Sequence, residues 1–298
     1  MENDSTQTSH ASTGTHFTLI TATNNNSYSK ITVPDQFKKK VLTHVISHYL
    51  EDNSFFLPPI FLAIEGPAGE GKTSQTIASL TQRDIDVVYV SGSNLSGSHE
   101  SEASDIMMDI YNFAKSRRKN NTSICIVIDD FHMSIINQDD NIKKTINSNL
   151  LTGFFMNLTN VSPDNTVPII LTGNDFSQVY APLLRSGRAD IFRWNPDYNT
   201  KFDIVQKILE PIIINFNSRD FKKFFDQFQA ESIADFTQLK NDCRKKHVWE
   251  IIKNENKLNF SSINRINSQL SSSIRKVSFE ELRNMAIQRS KEHKKSNN

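Results

Sequence analysis

Continuous apolar runs of strand length punctuate the chain at Ile60–Ile64, Val87–Val90, Ile124–Ile128 and Ile169–Leu171, with a shorter one at Ile191–Trp194. Between them lie polar or amphipathic stretches long enough for helices, such as Thr73–Thr81, Ser104–Ala114 and Asn147–Leu158. A strand covered by helices on both faces has no polar face to show, so its sequence is apolar without alternation. The pattern predicts an α/β fold for residues 34–200, with a doubly wound parallel sheet. Ahead of it, Pro34 opens a helix from Asp35 to Tyr49, with Phe37, Val41, Val45 and Ile46 at helical spacing. Beyond Pro196 and Asp197 the strands stop. Phe202, Ile204, Val205, Ile208 and Leu209, then Phe221, Phe224, Phe225 and Phe228, recur with helical period and predict a smaller all-helical domain with these rings in its core. Ser278 and Glu281 form a capping box for a last helix to about Lys291, with Val277 stapled to Leu282. The expected organisation is a disordered tail over 1–30, an α/β domain over 31–197, a helical domain over 198–292 and a frayed end over 293–298.

Composition narrows the partners. Thirty-four basic residues against 33 acidic ones leave a net charge of +1, so nothing global points to a nucleic-acid backbone or a membrane surface. The longest apolar stretch, Phe55–Ile64, holds two prolines and is too short to span a bilayer. The Ser-, Thr- and Asn-rich start lacks the features of a signal or transit peptide, and Cys125 and Cys243 have no metal-ligand spacing, so a cytoplasmic location is expected. The basic end, Arg289, Lys291, Lys294 and Lys295, reads as a solvated tail.

The chemistry concentrates at three strand ends. Gly66-Pro67-Ala68-Gly69-Glu70-Gly71-Lys72-Thr73, followed by Ser74, satisfies GxxxxGK[ST] between a strand and a helix. Glycines let backbone N–H groups turn onto phosphates, and the following helix presents its positive end to the same charge. Lys72 is placed to reach the β- and γ-phosphates of ATP, and the hydroxyl of Thr73 to ligate Mg²⁺. Ile124–Ile128 runs into Asp129 and Asp130: Asp129 is expected to hold the metal, and Asp130 to orient the attacking water as a base. At the end of Ile169–Leu171, Asn174 is a candidate partner of the γ-phosphate or the water. Arg185 and Arg188, eleven and fourteen residues further on, are too distant along the chain to fold back easily, and they look like fingers for a neighbour's ATP. His132, beside the aspartates but without a second ligand at zinc spacing, reads as a solvated loop histidine.

With these motifs the sequence resembles the AAA+ superfamily and, through Val167-Pro-Ile-Ile-Leu-Thr-Gly-Asn-Asp-Phe-Ser-Gln-Val-Tyr-Ala-Pro-Leu-Leu-Arg-Ser-Gly-Arg188, the Rubisco activase family. The likeness runs upstream through Pro34, Gly66–Thr73, Ser91-Gly92 and Asn147–Asn160, and downstream through Phe225–Phe228, Ser232–Leu239 and Val277–Met285. It implies a hexameric ATP-driven remodeler, a homo-oligomer acting on a protein substrate with Rubisco the leading candidate. By the same resemblance Asn174 is a sensor, Arg185 and Arg188 act in trans, and loops near Ser91–Ser104 and His132–Lys144 line a pore. The chain departs from the family at several points, among them His132 in place of a carboxylate, Lys240 where a second-sensor arginine is expected, and a short connection before Val167. Lysine still neutralises phosphate but lacks a bidentate fork, so Lys240 is kept as a nucleotide-binding candidate. The alternative is a nucleotide-switched oligomer that assembles on an effector protein or DNA, for which Lys240, Arg244, Lys245, Lys246 and His247 offer a basic stripe.

Overall fold

The computed structural model describes residues 16–23, 26–50, 58–95, 102–131, 142–158, 166–177, 179–253, 258–272 and 276–296. His132 with most of the loop 132–144, residues 96–101 of the loop 91–104, and the connection before Val167 lie outside them, as do residues 1–15 of the expected tail. Backbone contacts divide the chain into two units. The first takes Asp35–Gly66 and Lys72–Trp194 with the residues up to Ile31, and the second takes Thr32–Pro34, Pro67–Gly71 and Asn195–Asn298.

In the first unit β1 (Thr18–Ile20), β2 (Phe61–Glu65), β3 (Asp86–Ser91), β4 (Ile124–Asp129), β5 (Ile169–Gly173) and β6 (Ala189–Arg193) form one sheet in the order β1-β3-β4-β5-β2-β6. All pairings are parallel except β1 with β3. Its helices are α1 (Asn26–Ser29), α2 (Asp35–Ser47), α3 (Lys72–Thr81), α4 (Glu102–Lys119) and α5 (Ile142–Leu158). Alternate strand residues serve opposite faces. Phe61, Ala63, Val88, Val90, Ile126, Ile128, Ile169 and Leu171 join Met107 and Ile110 of α4 and Phe155 of α5 in one core. Their neighbours Leu62, Ile64, Val87, Cys125, Val127 and Ile170, pointing the other way, are fully buried too. This two-sided burial is why the strands read as unbroken apolar runs.

The structure corrects the sequence at the start of the chain. Residues 18–20, expected in a disordered tail, pair with Val87–Tyr89, and Phe17 and Leu19 pack on the core. The Ala22 N–H donates to the Asp86 carboxylate at 3.0 Å, and the Gln82 amide donates to the carbonyls of Tyr28 and Ile31, both at 3.0 Å. Three residues with two apolar side chains are too short a pattern to stand out among Ser, Thr and Asn, and their partners lie over 60 residues away. Helix α2 also stops at Ser47, short of Tyr49.

The second unit holds α6 (Tyr198–Leu209), α7 (Ser218–Phe228), α8 (Ile233–Ile252), α9 (Phe260–Ser272) and α10 (Phe279–Ser296). Its core is aromatic: Phe221, Phe224, Phe225 and Phe228 of α7 meet Phe236 and Leu239 of α8, with Val277 and Leu282. Asp197 caps α6, Asn217 caps α7, and Ser232 with Asp235 forms a reciprocal capping box on α8. At α10 the Ser278 hydroxyl accepts from the Glu281 N–H at 3.2 Å, and the helix runs past Lys291 to Ser296.

Candidate functional site

The loop between β2 and α3 is shaped by residues that no side chain could replace. A Cβ on Gly66 would lie 1.9 Å from the Trp194 carbonyl oxygen, and Gly69 and Gly71 take φ of +76° and +79°, where other residues are strained. Helix α3 then begins at Lys72, leaving its first N–H groups without intrahelical acceptors at the loop. Lys72 is 7% exposed. Its ammonium donates to the Gly66 carbonyl at 2.8 Å and to Oδ1 of Asn174 at 3.0 Å. Asn174 arrives there because β5 pairs in register with β2, Gly173 opposite Glu65. Gly66, Lys72, Thr73 and Ser74 belong to the first unit, and Pro67, Ala68, Gly69, Glu70 and Gly71 to the second.

A second cluster surrounds Asp129 in the first unit. Its Oδ1 accepts from the hydroxyls of Thr73 at 2.5 Å and Thr172 at 2.6 Å and from the Asp130 N–H at 3.0 Å. Its Oδ2 accepts from the Tyr89 phenol at 3.1 Å. Burial, then the Asp129 charge, pushes the Tyr89 hydroxyl up to about 12, and the same two causes raise Tyr28. The convergence follows from the pleat: Tyr89, Asp129 and Thr172 have the parity of Val87, Val127 and Ile170, the opposite face from the α4 and α5 core, and Thr73 meets them from α3. A hydroxyl and a carboxylate in contact are hard oxygen donors suited to Mg²⁺, so Thr73 and Asp129 fit that ion.

Asp130 turns away from this cluster. Its φ of +49° is unusual for a residue with a side chain, and it is exposed where Asp129 is half-buried. Gly92 passes so close that a Cβ there would lie 2.4 Å from the Asp130 carbonyl oxygen. The Phe131 N–H donates to the Thr172 carbonyl at 2.9 Å, fixing the corner from the other side. Two adjacent carboxylates are thus held in different directions, one onto Thr73 and one outward.

Arg185 and Arg188 lie between β5 and β6. Arg185 is exposed, while Arg188 is half-buried and donates to the Pro182 carbonyl at 2.9 Å. Lys240 is a half-buried residue of α8 in the second unit. Among the first unit's expected residues, the structure joins Lys72 with Asn174 and Thr73 with Asp129. Sequence reasoning gave no role to Thr172 or Tyr89. Counting by twos along each strand would have put them on the face of Asp129, once the order of the strands was known.

A phosphate-binding loop, a hydroxyl–carboxylate pair and a polar amide, all at the carboxyl ends of neighbouring parallel strands, define a P-loop nucleotide fold. The particular kind follows from comparison. Residues 62–197 match the family model described as "ATPase family associated with various cellular activities (AAA)". The crystal structure of the FIGL-1 AAA domain superposes with a TM-score of 0.62 at 17% identity, covering 90% of this chain and 84% of that one, a likeness of fold. Ribulose bisphosphate carboxylase/oxygenase activases from Anabaena sp. (strain CA) and Nostoc sp. (strain PCC 7120) are each 29% identical, over 74% and 70% of this chain and 55% and 53% of their own. The enzyme of that name from Arabidopsis thaliana is 27% identical over 68% of this chain and 45% of its own. The chain spans about half the length of the curated relatives it matches. Among the described residues no helix is long and apolar enough to cross a membrane.

Proposed function

We propose that this protein hydrolyses ATP between the subunits of a ring and uses the cycle to remodel a protein partner, with Rubisco the leading candidate. The observation that carries the reading is the convergence of Lys72, Thr73, Asp129 and Asn174 at the strand ends of an AAA domain. Lys72 binds the phosphates, with the loop from Gly66 to Ser74 around them. Thr73 and Asp129 hold Mg²⁺. When bound, the ion neutralises charge that develops on the transferred phosphoryl group. Asp130, directed outward by its turn, accepts the proton of the attacking water, and Asn174 orients that water. Arg185 and Arg188 serve a neighbour's ATP, which makes a closed homo-oligomer, a hexamer in this reading, the active form. The cytoplasm is the expected location, in keeping with two buried free thiols.

The target is inferred from the relatives' names together with the helical unit. The alternative is assembly on an effector protein or DNA, which a basic stripe on α8 would favour; there Lys245 pairs with Asp242 at 3.5 Å and Lys246 with Glu281 at 2.6 Å, which offsets part of that charge. The test is to purify an Asp130→Asn form, locked with ATP, from its native host and identify what accompanies it. Recovery of Rubisco supports the reading; nucleic acid alone, with nuclease releasing the protein, moves it to the alternative. Trans action is tested by mixing Arg188→Ala and Lys72→Ala subunits: mixed rings should regain phosphate release, and no recovery at any ratio sinks it.

A further inference from the structure

The phosphate-binding loop carries a negative charge of its own. Glu70 sits among the residues whose amides turn onto phosphate, is 7% exposed, and belongs with Pro67–Gly71 to the second unit. In that same unit Lys201 of α6 places its ammonium 2.8 Å from Oε1 of Glu70, the two side chains 13% and 9% exposed. The loop is secured beside the pair, the Ala234 N–H donating to the Gly69 carbonyl at 2.9 Å. A carboxylate shielded from water, in a loop built for a polyanion, repels that ligand unless a cation cancels it. We propose that Lys201 sets the affinity of the loop for ATP by neutralising Glu70, so that a residue of the helical unit tunes nucleotide binding without touching the nucleotide.

The inference rests on the reading that the loop binds ATP. It makes the two ends of one ion pair act in opposite directions, which a merely structural staple would not do. If the pair only held the loop in shape, losing either partner would weaken ATP alike. If charge is what matters, Lys201→Met removes the cation that faces the carboxylate and weakens ATP, whereas Glu70→Gln removes the repulsion, leaves that cation and strengthens it.

The experiment measures Kd for MgATP by calorimetry in the full chain, for wild type, Lys201→Met, Glu70→Gln and the double variant, at low and high salt. Lys201→Met should raise Kd about tenfold, with little difference between low and high salt, since the carboxylate is buried and close to the phosphates. Glu70→Gln should lower Kd, and the double variant should return to within about threefold of wild type, its charges having been removed together. Thermal melting without nucleotide identifies any single variant that fails to fold; Glu70→Gln, which carries no carboxylate to leave exposed, then decides by whether it lowers Kd, and an unchanged Kd in it overturns the inference. Both single variants weakening ATP, or a double variant as weak as Lys201→Met, overturns the inference and leaves the ATP reading intact. No binding by wild type overturns both.

Discussion

The two ends of the β-sheet are both lined with polar side chains, yet they are organised differently. At the carboxyl end Lys72 donates to Asn174 at 3.0 Å and Thr73 to Asp129 at 2.5 Å, and in the proposed function each of these groups has a use for a ligand. At the amino end the groups close on backbone. His48 Nε2 lies 3.0 Å from the Pro59 carbonyl, and the Tyr49 phenol donates to the Ile124 carbonyl at 2.7 Å. Arg118 donates to the carbonyls of His48 and Thr166 and stacks over the Tyr49 ring at 4.3 Å. In the proposed function the first set exchanges its partners for phosphate and metal. The second satisfies peptide groups that loops have brought inside, where an unpaired carbonyl costs free energy. Polar burial is thus held ready for a ligand at one end and used up in structure at the other.

The strongest test separates the two ends by substitution. Lys72→Ala should abolish ATP binding, weakening it about a thousandfold, because charge compensation of the phosphates is lost. The melting temperature without ATP should stay close to wild type, since water can replace the ammonium on Gly66 and Asn174. Calorimetry with ATP, followed by melting of the apo protein, checks both halves. A melting temperature that collapses with the substitution would erase the distinction between the ends.

The amino end should announce itself in the pH dependence of stability. Burial, then the neighbouring His48, lowers His44 to about 3; burial, offset by the Pro59 carbonyl and aided by Arg118, lowers His48 to about 4. Both folded values lie below the ordinary 6.5, so the unfolded chain binds more protons between those limits. The contribution is fully present above about pH 6.5 and is lost as the pH falls toward 4, about 2 kcal/mol per histidine by pH 5. Denaturant melts at pH 7 and pH 5 measure the drop, and His44→Leu should remove roughly half of it. An unchanged drop in that variant would assign the acid sensitivity to other groups.

How far the sequence foretold these ends differs for a physical reason. The carboxyl end follows a contiguous motif: GxxxxGK[ST] encodes a loop, and Ile124–Ile128 with Asp129 and Asp130 encodes a strand and its exit. The sheet interior was legible because burial on both faces leaves a plain apolar run. What escaped was assembled from distant segments. Tyr89 and Thr172 come from strands 40 and 43 residues from Asp129, and Lys201 is 131 residues from Glu70. The amino-end cluster joins Tyr49 to Ile124 and His48 to Thr166 across 75 and 118 residues. Edge strand β1 escaped likewise, its pairing dictated by β3 and not by its own three residues.

Arg118→Ala should be felt next. The guanidinium donates to two carbonyls and covers an aromatic face, so its loss removes two hydrogen bonds and a cation–ring contact. A destabilisation of about 3 kcal/mol is expected by denaturant melting, with Kd for ATP unchanged. A large loss of ATP affinity would mean that the two ends of the sheet are coupled.

The smallest effect, and the finest test of the ligand-ready end, concerns Tyr89. Its phenol occupies Oδ2 of Asp129 at 3.1 Å, while Thr73 and Thr172 take Oδ1. The carboxylate is therefore held by both oxygens, and its orientation is set before any ion arrives. Tyr89→Phe keeps the ring and removes one hydrogen bond, worth about 1 kcal/mol. Because Asp129 is read as a metal-holding group and Lys72 as a phosphate-binding one, the two halves of nucleotide binding should respond separately. The Mg²⁺ concentration for half-maximal phosphate release should rise about fivefold, the equivalent of that lost bond. Binding of ATP in the presence of EDTA should stay at the wild-type value. Equal losses with and without Mg²⁺ would place Tyr89 in the general packing of the sheet, and the carboxylate's orientation would then have to come from the two threonines alone.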